Sequence, residues 1–292
     1  MTRVIPSPDV VLDDRNRLEV VSKDWLYDLA RRKSVISYSS NLWGGRTLNA
    51  GATGDVLVYK PRPTLTGTID ALTATTLTDN TPSWSSSDLA SDVSKGSWTI
   101  TVADATVFDV GMRVVIHESG KKSTIAVIIS KNDSTGLIRL SVPTVDDYTT
   151  AGGAYLTENL KGRVLQPNVN SSKKFIIKDN TKTEIQVEDG DLTQFASVGD
   201  TYKVLYETAY VSRIVMTSTH KVYWWVYVQN KQTYDVEVLA CTHVGDQIPL
   251  PYDVPIQLRG DKGDYIRVEA QDYQGVSPTV ATSIHGWMEV EM

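Results

Sequence analysis

The sequence has almost no cysteine, and Cys241, the only one, can close no disulfide within the chain and build no multi-thiolate metal site. It is expected to be a small buried apolar side chain. Long apolar runs are missing as well. Met1 to Asp9 carries no apolar signal core, and eighteen apolar residues never follow one another, so the chain is expected to be made in the cytoplasm without a signal peptide and to insert in no membrane. Basic excess is absent too, with 29 Lys and Arg against 35 Asp and Glu for a net charge of −6. A surface of that sign repels phosphate, which argues against nucleic acid as a partner. No glycine-rich phosphate loop ending in Lys-Ser or Lys-Thr, no nucleophile elbow and no His-Glu-x-x-His zinc motif occurs. Three large enzyme classes lose their signature residues.

What remains is an ordinary globular composition, 41% hydrophobic and 22% charged over 292 residues, enough for two or three compact units. The patterning is that of strands: the expected fold class is mainly β, with a short N-terminal helix, one or two small β-barrel or sandwich modules, and a C-terminal β-sandwich of jelly-roll type. Residues 1–60 read as an attachment segment. Pro6 and Pro8 stiffen its start, and Ser22 is placed to N-cap a helix over Lys23 to about Lys33, with Asp24 in the first turn and Arg31 and Arg32 in the last, as the helix dipole favours. Thr, Ser and Gly dominate residues 61–95, which read as a linker.

Residues 96–165 form the first module. Trp98, Ile100 and Val102 alternate with Thr99 and Thr101, and short apolar runs follow at Met112–Ile116, Thr124–Ser130 and Leu137–Val142, parted by Gly111, Asn132-Asp133 and Gly136 at turn positions. Residues 166–210 read as a second module or spacer. There Ile185, Phe195 and Val198-Gly199 echo Ile100, Phe108 and Val110-Gly111, with a loop of different length between them.

Residues 211–292 carry the strongest strand signals, expected as the sandwich. In Val222-Tyr223-Trp224-Trp225-Val226-Tyr227-Val228 both faces are apolar or aromatic, which suits a strand whose outer face meets another subunit. Seven Trp and fourteen Tyr against three Phe favour rings with a polar handle, the kind found at contact surfaces and sugar-stacking sites.

Residues with chemical potential are dispersed. His117, His220, His243 and His285 stand singly, and a lone histidine is most often structural. Carboxylates cluster at Asp13-Asp14, Asp146-Asp147, Glu188-Asp189-Gly190-Asp191 and Asp261-Lys262-Gly263-Asp264, which read as solvated turns without calcium-loop spacing. No catalytic, cofactor-binding or metal residue is assigned, and the chain is expected not to be an enzyme.

The opening Ile5 to Arg17, followed by Val21 to Leu29 with Trp25 at its centre, resembles the amino-terminal segment of phage tail and fibre proteins. Gly96 to Val114 is similar to a small β module common in phage structural proteins and bacterial surface proteins. The resemblance implies a bacteriophage virion structural protein: an N-terminal segment docking on other virion proteins, β spacers, and a distal sandwich that closes a homo-oligomer, with a trimer favoured, or contacts a host surface glycan or protein. Capsid decoration or head fibre is the alternative within that class, and a polysaccharide-degrading or carbohydrate-binding phage protein the alternative outside it.

Overall fold

In a computed structural model the described residues are 11–12, 18–19, 33–39, 46–230, 233–242 and 247–289. Along the chain, β1 (Val11–Leu12) pairs with β2 (Leu18–Glu19), and β3 (Lys33–Ser39), β4 (Arg46–Thr47) and β5 (Thr53–Tyr59) follow. Next come the short strands β6 (Leu65–Thr68), β7 (Ala71–Leu72) and β8 (Thr76–Thr78), then β9 (Ser86–Asp88), β10 (Thr99–Thr101), β11 (Arg113–His117), β12 (Thr124–Asn132), β13 (Leu137–Leu140) and β14 (Tyr155–Glu158). After β15 (Val164–Gln166), β16 (Phe175–Asn180), β17 (Glu184–Val187) and β18 (Thr201–Val204) the strands lengthen into β19 (Thr208–Ser218), β20 (Val222–Asn230), β21 (Thr233–Thr242), β22 (Gln247–Arg259), β23 (Tyr265–Gln271) and β24 (Thr279–Glu289).

Three apolar cores organise these strands. The first fills a sandwich. One sheet runs β22-β19-β24-β3, with β4 also on β24, and the facing sheet runs β21-β20-β23-β5. Alternation drives the packing: Val222, Trp224, Val226 and Val228 point inward and are buried, as are Ile214, Met216 and Ile284 from the opposite sheet. Both ends of the sequence contribute, since β5 adds to β23 and β3 adds to β24. The sandwich is thus not confined to 211–292, and residues 33–59, expected within an attachment segment, supply strands to it. Sheet pairing between such distant segments leaves no local mark in the sequence.

A buried carboxylate holds the loop that joins β23 to β24. Asp272 accepts hydrogen bonds from the backbone N–H groups of Gly51, Gln274, Gly275 and Ser277, tying this loop to the turn before β5. Burial alone would raise its pKa, but these N–H groups outweigh that effect and hold it below the usual carboxylate range. A depressed folded value means that the stabilisation is fully present above the unfolded value of about 3.9 and is lost as pH falls through the lower folded one. In an NMR titration the Gly51 and Gly275 amide signals should therefore move only at the acid end. Asp272→Asn should abolish that transition, and a transition that persists in the variant would show that another group titrates.

The second and third cores fill two smaller units that are inserted, one inside the other, between β5 and β19. The inner unit is the sheet β10-β13-β12-β11-β14-β9, closed into a barrel where the Ala90 N–H donates to the Thr101 carbonyl and the Ala103 N–H to that of Asp88. The outer unit is the sheet β6-β18-β15-β16-β17-β8-β7, closed where the Asp70 N–H donates to the Thr78 carbonyl. Each unit is entered and left through neighbouring antiparallel strands, β9 beside β14 and β6 beside β18. Such partners lie only about 5 Å apart, so an insertion at that point leaves the parent sheet intact.

Residues 61–95, expected as linker, instead contain β6 to β9. The module expected over 96–165 begins earlier, at β9, and ends with β14, whereas β15 belongs to the outer barrel. Residues 166–210 complete that outer barrel around β6 and β8 rather than forming a unit of their own. The turns are as expected: Gly111 and Gly136 take φ of 92° and 70°, and Asn132 Oδ1 accepts from the Ser134 N–H. The helix expected over Lys23 to about Lys33 lies outside the described residues apart from Lys33, which opens β3. Among the described residues no helix is long and apolar enough to cross a membrane.

Candidate functional site

The residue types with chemical potential serve the architecture. Asp146 accepts from the Lys122 and Asp147 N–H groups and Asp147 from that of Lys95. Asp191 takes the N–H and hydroxyl of Thr193, and Asp264 takes the Arg259 N–H. These are turn braces, with Asp264 buried rather than in the solvated turn expected, and hydrogen bonds from the Lys122 and Asp147 N–H groups hold the Asp146 carboxyl below its ordinary range. Asp13-Asp14 and His243 lie outside the described residues. His117 bridges the Asn180 carbonyl and Ser123, His220 meets Thr219, and His285 meets Ser283. Among the described residues no group of three His, Cys, Asp or Glu could hold a metal ion. Cys241 stands opposite Tyr223 in the β20–β21 register.

Two constellations remain. The first is a buried charged node where sandwich and barrels meet. Glu158, at the end of β14 and 2% exposed, accepts from Arg62 through Nε at 2.9 Å and Nη2 at 3.2 Å, and from Arg163 Nη1 at 3.2 Å. Arg163, 3% exposed, donates its other terminal nitrogen to the carbonyls of Pro63 and Leu205, in the two connecting segments 60–64 and 205–207 that form a neck between sandwich and outer barrel. The neck itself is pinned by two bonds between Arg62 and Glu207, the Glu207 N–H donating to the Arg62 carbonyl and the Arg62 N–H to the Glu207 carboxylate, and the Glu207 carbonyl accepts from the Gly260 N–H of the sandwich. Only glycine fits there, because a Cβ on residue 260 would lie 2.0 Å from the Arg62 carbonyl oxygen. Burial pulls the Arg163 guanidinium down, and Glu207 and Glu158 oppose it. For Arg62 burial pulls the same way, but Glu158, Asp109 and Glu207 prevail and raise it. Sequence reading passed over this node because its members are far apart in the chain. The one local hint is a charge interrupting apolar residues, at Leu156-Thr157-Glu158 and Arg163-Val164-Leu165.

Against the outer barrel, Asn180 reinforces the same junction by donating to the Glu158 carbonyl and accepting from the Leu160 N–H, both at 2.8 Å. Trp84 donates its indole N–H to Thr181. This arrangement ties the outer barrel to the inner one beside the node.

The second constellation is a face. Because Trp224 and its alternating neighbours turn inward, Tyr223, Trp225 and Tyr227 line the outer side of β20. Tyr223, 37% exposed, packs on Tyr273, 41% exposed, with ring centroids 4.5 Å apart, and on Trp225 at 6.3 Å. Arg267 lies over the Tyr227 ring at 5.8 Å and pairs with Glu269. On the opposite side of the sandwich Tyr210 and Trp287 stack at 5.4 Å. Among the tryptophans, Trp224 is fully buried, while Trp98 and Trp287 are half-buried.

No protein-family model matches the chain, and no curated protein does. Among solved structures it matches VP17, a capsid protein of bacteriophage P23-77, at 11% identity over 89% of this chain and 97% of that one, with a TM-score of 0.19. It also matches the complex of VP16 and VP17, the two major capsid proteins of that phage, at 10% identity over 87% of this chain and 99% of that one, again with a TM-score of 0.19. A superposition that loose transfers neither fold nor function, and the functional reading rests on the chain's own residues.

Proposed function

We propose that this chain is a non-enzymatic structural component of a bacteriophage particle, in the tail as a fibre or adaptor subunit that contributes to assembly and host attachment. The observation that carries the reading is the aromatic face of Tyr223, Trp225, Tyr227 and Tyr273 on one side of the sandwich. Rings with a polar handle, flanked by an Arg–Glu pair, have the composition of a subunit contact rather than of a solvated sheet. The turn-bracing roles of Asp146, Asp147, Asp191 and Asp264 support the non-enzymatic part, and the lead-in from Ile5 to Leu29 supports the phage part. A head-shell or decoration subunit is the second reading. It is favoured by the insertion of both barrels between β5 and β19 through a single neck, which leaves the two-sheet body uninterrupted for tiling.

Cryo-electron microscopy of intact particles tests both. Sandwich and barrel density in the tail is the expected result, density in the head selects the second reading, and absence of the chain from purified particles overturns both. Assembly through the aromatic face has its own measure. Trp225→Ser with Tyr273→Ser should weaken self-association by about 30-fold or more in sedimentation, the loss typical of a central aromatic contact. A wild-type chain that stays monomeric up to particle concentrations, or a variant that associates equally well, would remove the face from the interface.

A further inference from the structure

We infer that the two barrels are one six-stranded unit used twice, and that the outer copy is a circular permutant of the inner. The sequence echo covers only β10 to β11 and β17 to β18, but the backbone extends it around the whole barrel. The β11 start is set in the inner barrel by the Gly111 N–H donating to Ile128, the Ile128 N–H to Met112 and the Met112 N–H to Asp109. In the outer barrel Gly199 donates to Ile69, Ile69 to Asp200 and Asp200 to Ser197, at the same 2.8, 3.0 and 3.1 Å as in the inner one. Gly111 and Gly199 share a left-handed φ, 92° and 89°, and Asp104 captures the N–H and hydroxyl of Thr106 as Asp191 captures those of Thr193.

The remaining strands follow. Val102 donates to Gly136 as Val187 donates to Thr75, and Leu140 to Trp98 as Asp79 to Thr183. Ala103 donates to Asp88 as Glu188 to Ile176, and Leu89 to Ala154 as Ile177 to Arg163. These pairs make β9, β10, β11, β13 and β14 equivalent to β16, β17, β18, β8 and β15. β12 corresponds to β6 and β7 taken as one strand, because Ile69 and Asp70 carry ladder bonds across the gap between them. Neighbour relations then coincide around both barrels, but the chain order does not. The inner copy runs β9 to β14. The outer copy begins at the equivalent of β12 and ends at that of β11. Its termini, Leu65 and Val204, are register partners at the place where the inner copy has its β11–β12 hairpin.

The buried side chains agree, pairing Ile100 with Ile185, Ile128 with Ile69, Ile138 with Leu77 and Leu156 with Leu165. One site differs in a coupled group of three. Val114, Ala126 and Leu140 of the inner barrel correspond to Tyr202, Gly67 and Asp79 of the outer one, where the Tyr202 hydroxyl donates to Asp79 Oδ2 at 2.7 Å. Val114 faces Ala126 and Tyr202 faces Gly67 across the same register. A Cβ on residue 67 would lie 2.4 Å from the Tyr202 hydroxyl oxygen, so the larger ring and the missing side chain exchange volume within one site.

Exchanging the three residues between copies tests the equivalence in the full chain, with amide hydrogen exchange as the local readout. Gly67→Ala alone should speed exchange at Ile69 and Gly199 by about tenfold or more, and Gly67→Ala with Asp79→Leu and Tyr202→Val should restore it to within about threefold of wild type, since neighbours in one site couple strongly. The reverse graft separates shared packing from a general tolerance of apolar residues. Leu140→Asp alone should strip protection from Ile128 and Gly111, whereas Val114→Tyr, Ala126→Gly and Leu140→Asp together should keep it. A reverse triple variant no better protected than Leu140→Asp overturns the inference, and so does an outer triple variant whose exchange is at least the product of its single effects.

Discussion

Replacing Glu158 by alanine should release the junction of sandwich and barrels, at a cost of about 3–5 kcal/mol, because it strands the buried Arg163 guanidinium without its carboxylate partner. Arg163 is the more damaging orphan, since it is the more deeply buried of the two arginines that Glu158 receives. Its remaining acceptors are the neutral carbonyls of Pro63 and Leu205, and its Nε already has no hydrogen-bond partner. Glu158→Gln keeps an acceptor at the same place while removing the charge, and should fall between alanine and wild type. Converting Glu158 and Arg163 together to methionine should recover much of the loss, as replacement of whole buried ion pairs often does. The check is urea unfolding read by hydrogen exchange at the Leu160 and Asn159 amides beside the node, which bond to Asn180 of the outer barrel and Arg113 of the inner one. Equal stability of the alanine variant and wild type would mean that water reaches this site and that the node is incidental.

Trp224→Ala should be as costly, about 3–5 kcal/mol, but in a different place. Trp224 is among the largest fully buried side chains, and its strand lies between β21 and β23 at the middle of one sheet. Truncation leaves a cavity that the flanking Val222 and Val226 cannot fill without moving the ladder. Since each barrel has its own core, exchange protection should fall through β19, β20 and β23 while Ile128 and Ile177 remain protected. Uniform loss across all three units would contradict this independence, and would place the cooperative unit at the level of the whole chain.

The β character of the chain was legible because apolar alternation is a local property. Ile100 and Val102, the inward valines of β20 and the run from Ile266 to Ala270 each display it within a few residues. Leu65 to Ile69 hid the same period of two, because Gly67 interrupts it and the missing volume comes from Tyr202 on another strand. The nesting of units was not legible, since pairing β5 with β23 and β6 with β18 depends on chain reversal over long separations. The aromatic face was readable as a double-sided strand. The ion node was not, because its charges become neighbours only when three separate units close around them.

The two bonds between Arg62 and Glu207, one of them accepted by the Glu207 carboxylate, bear on how the molecule carries mechanical load. Traction applied to β5 and β19 from outside crosses at the neck, through these bonds and the adjoining Leu65–Val204 pair, before it enters either barrel. Both barrels are side branches of the force path, and strain on the sandwich leaves them slack until that crossing ruptures.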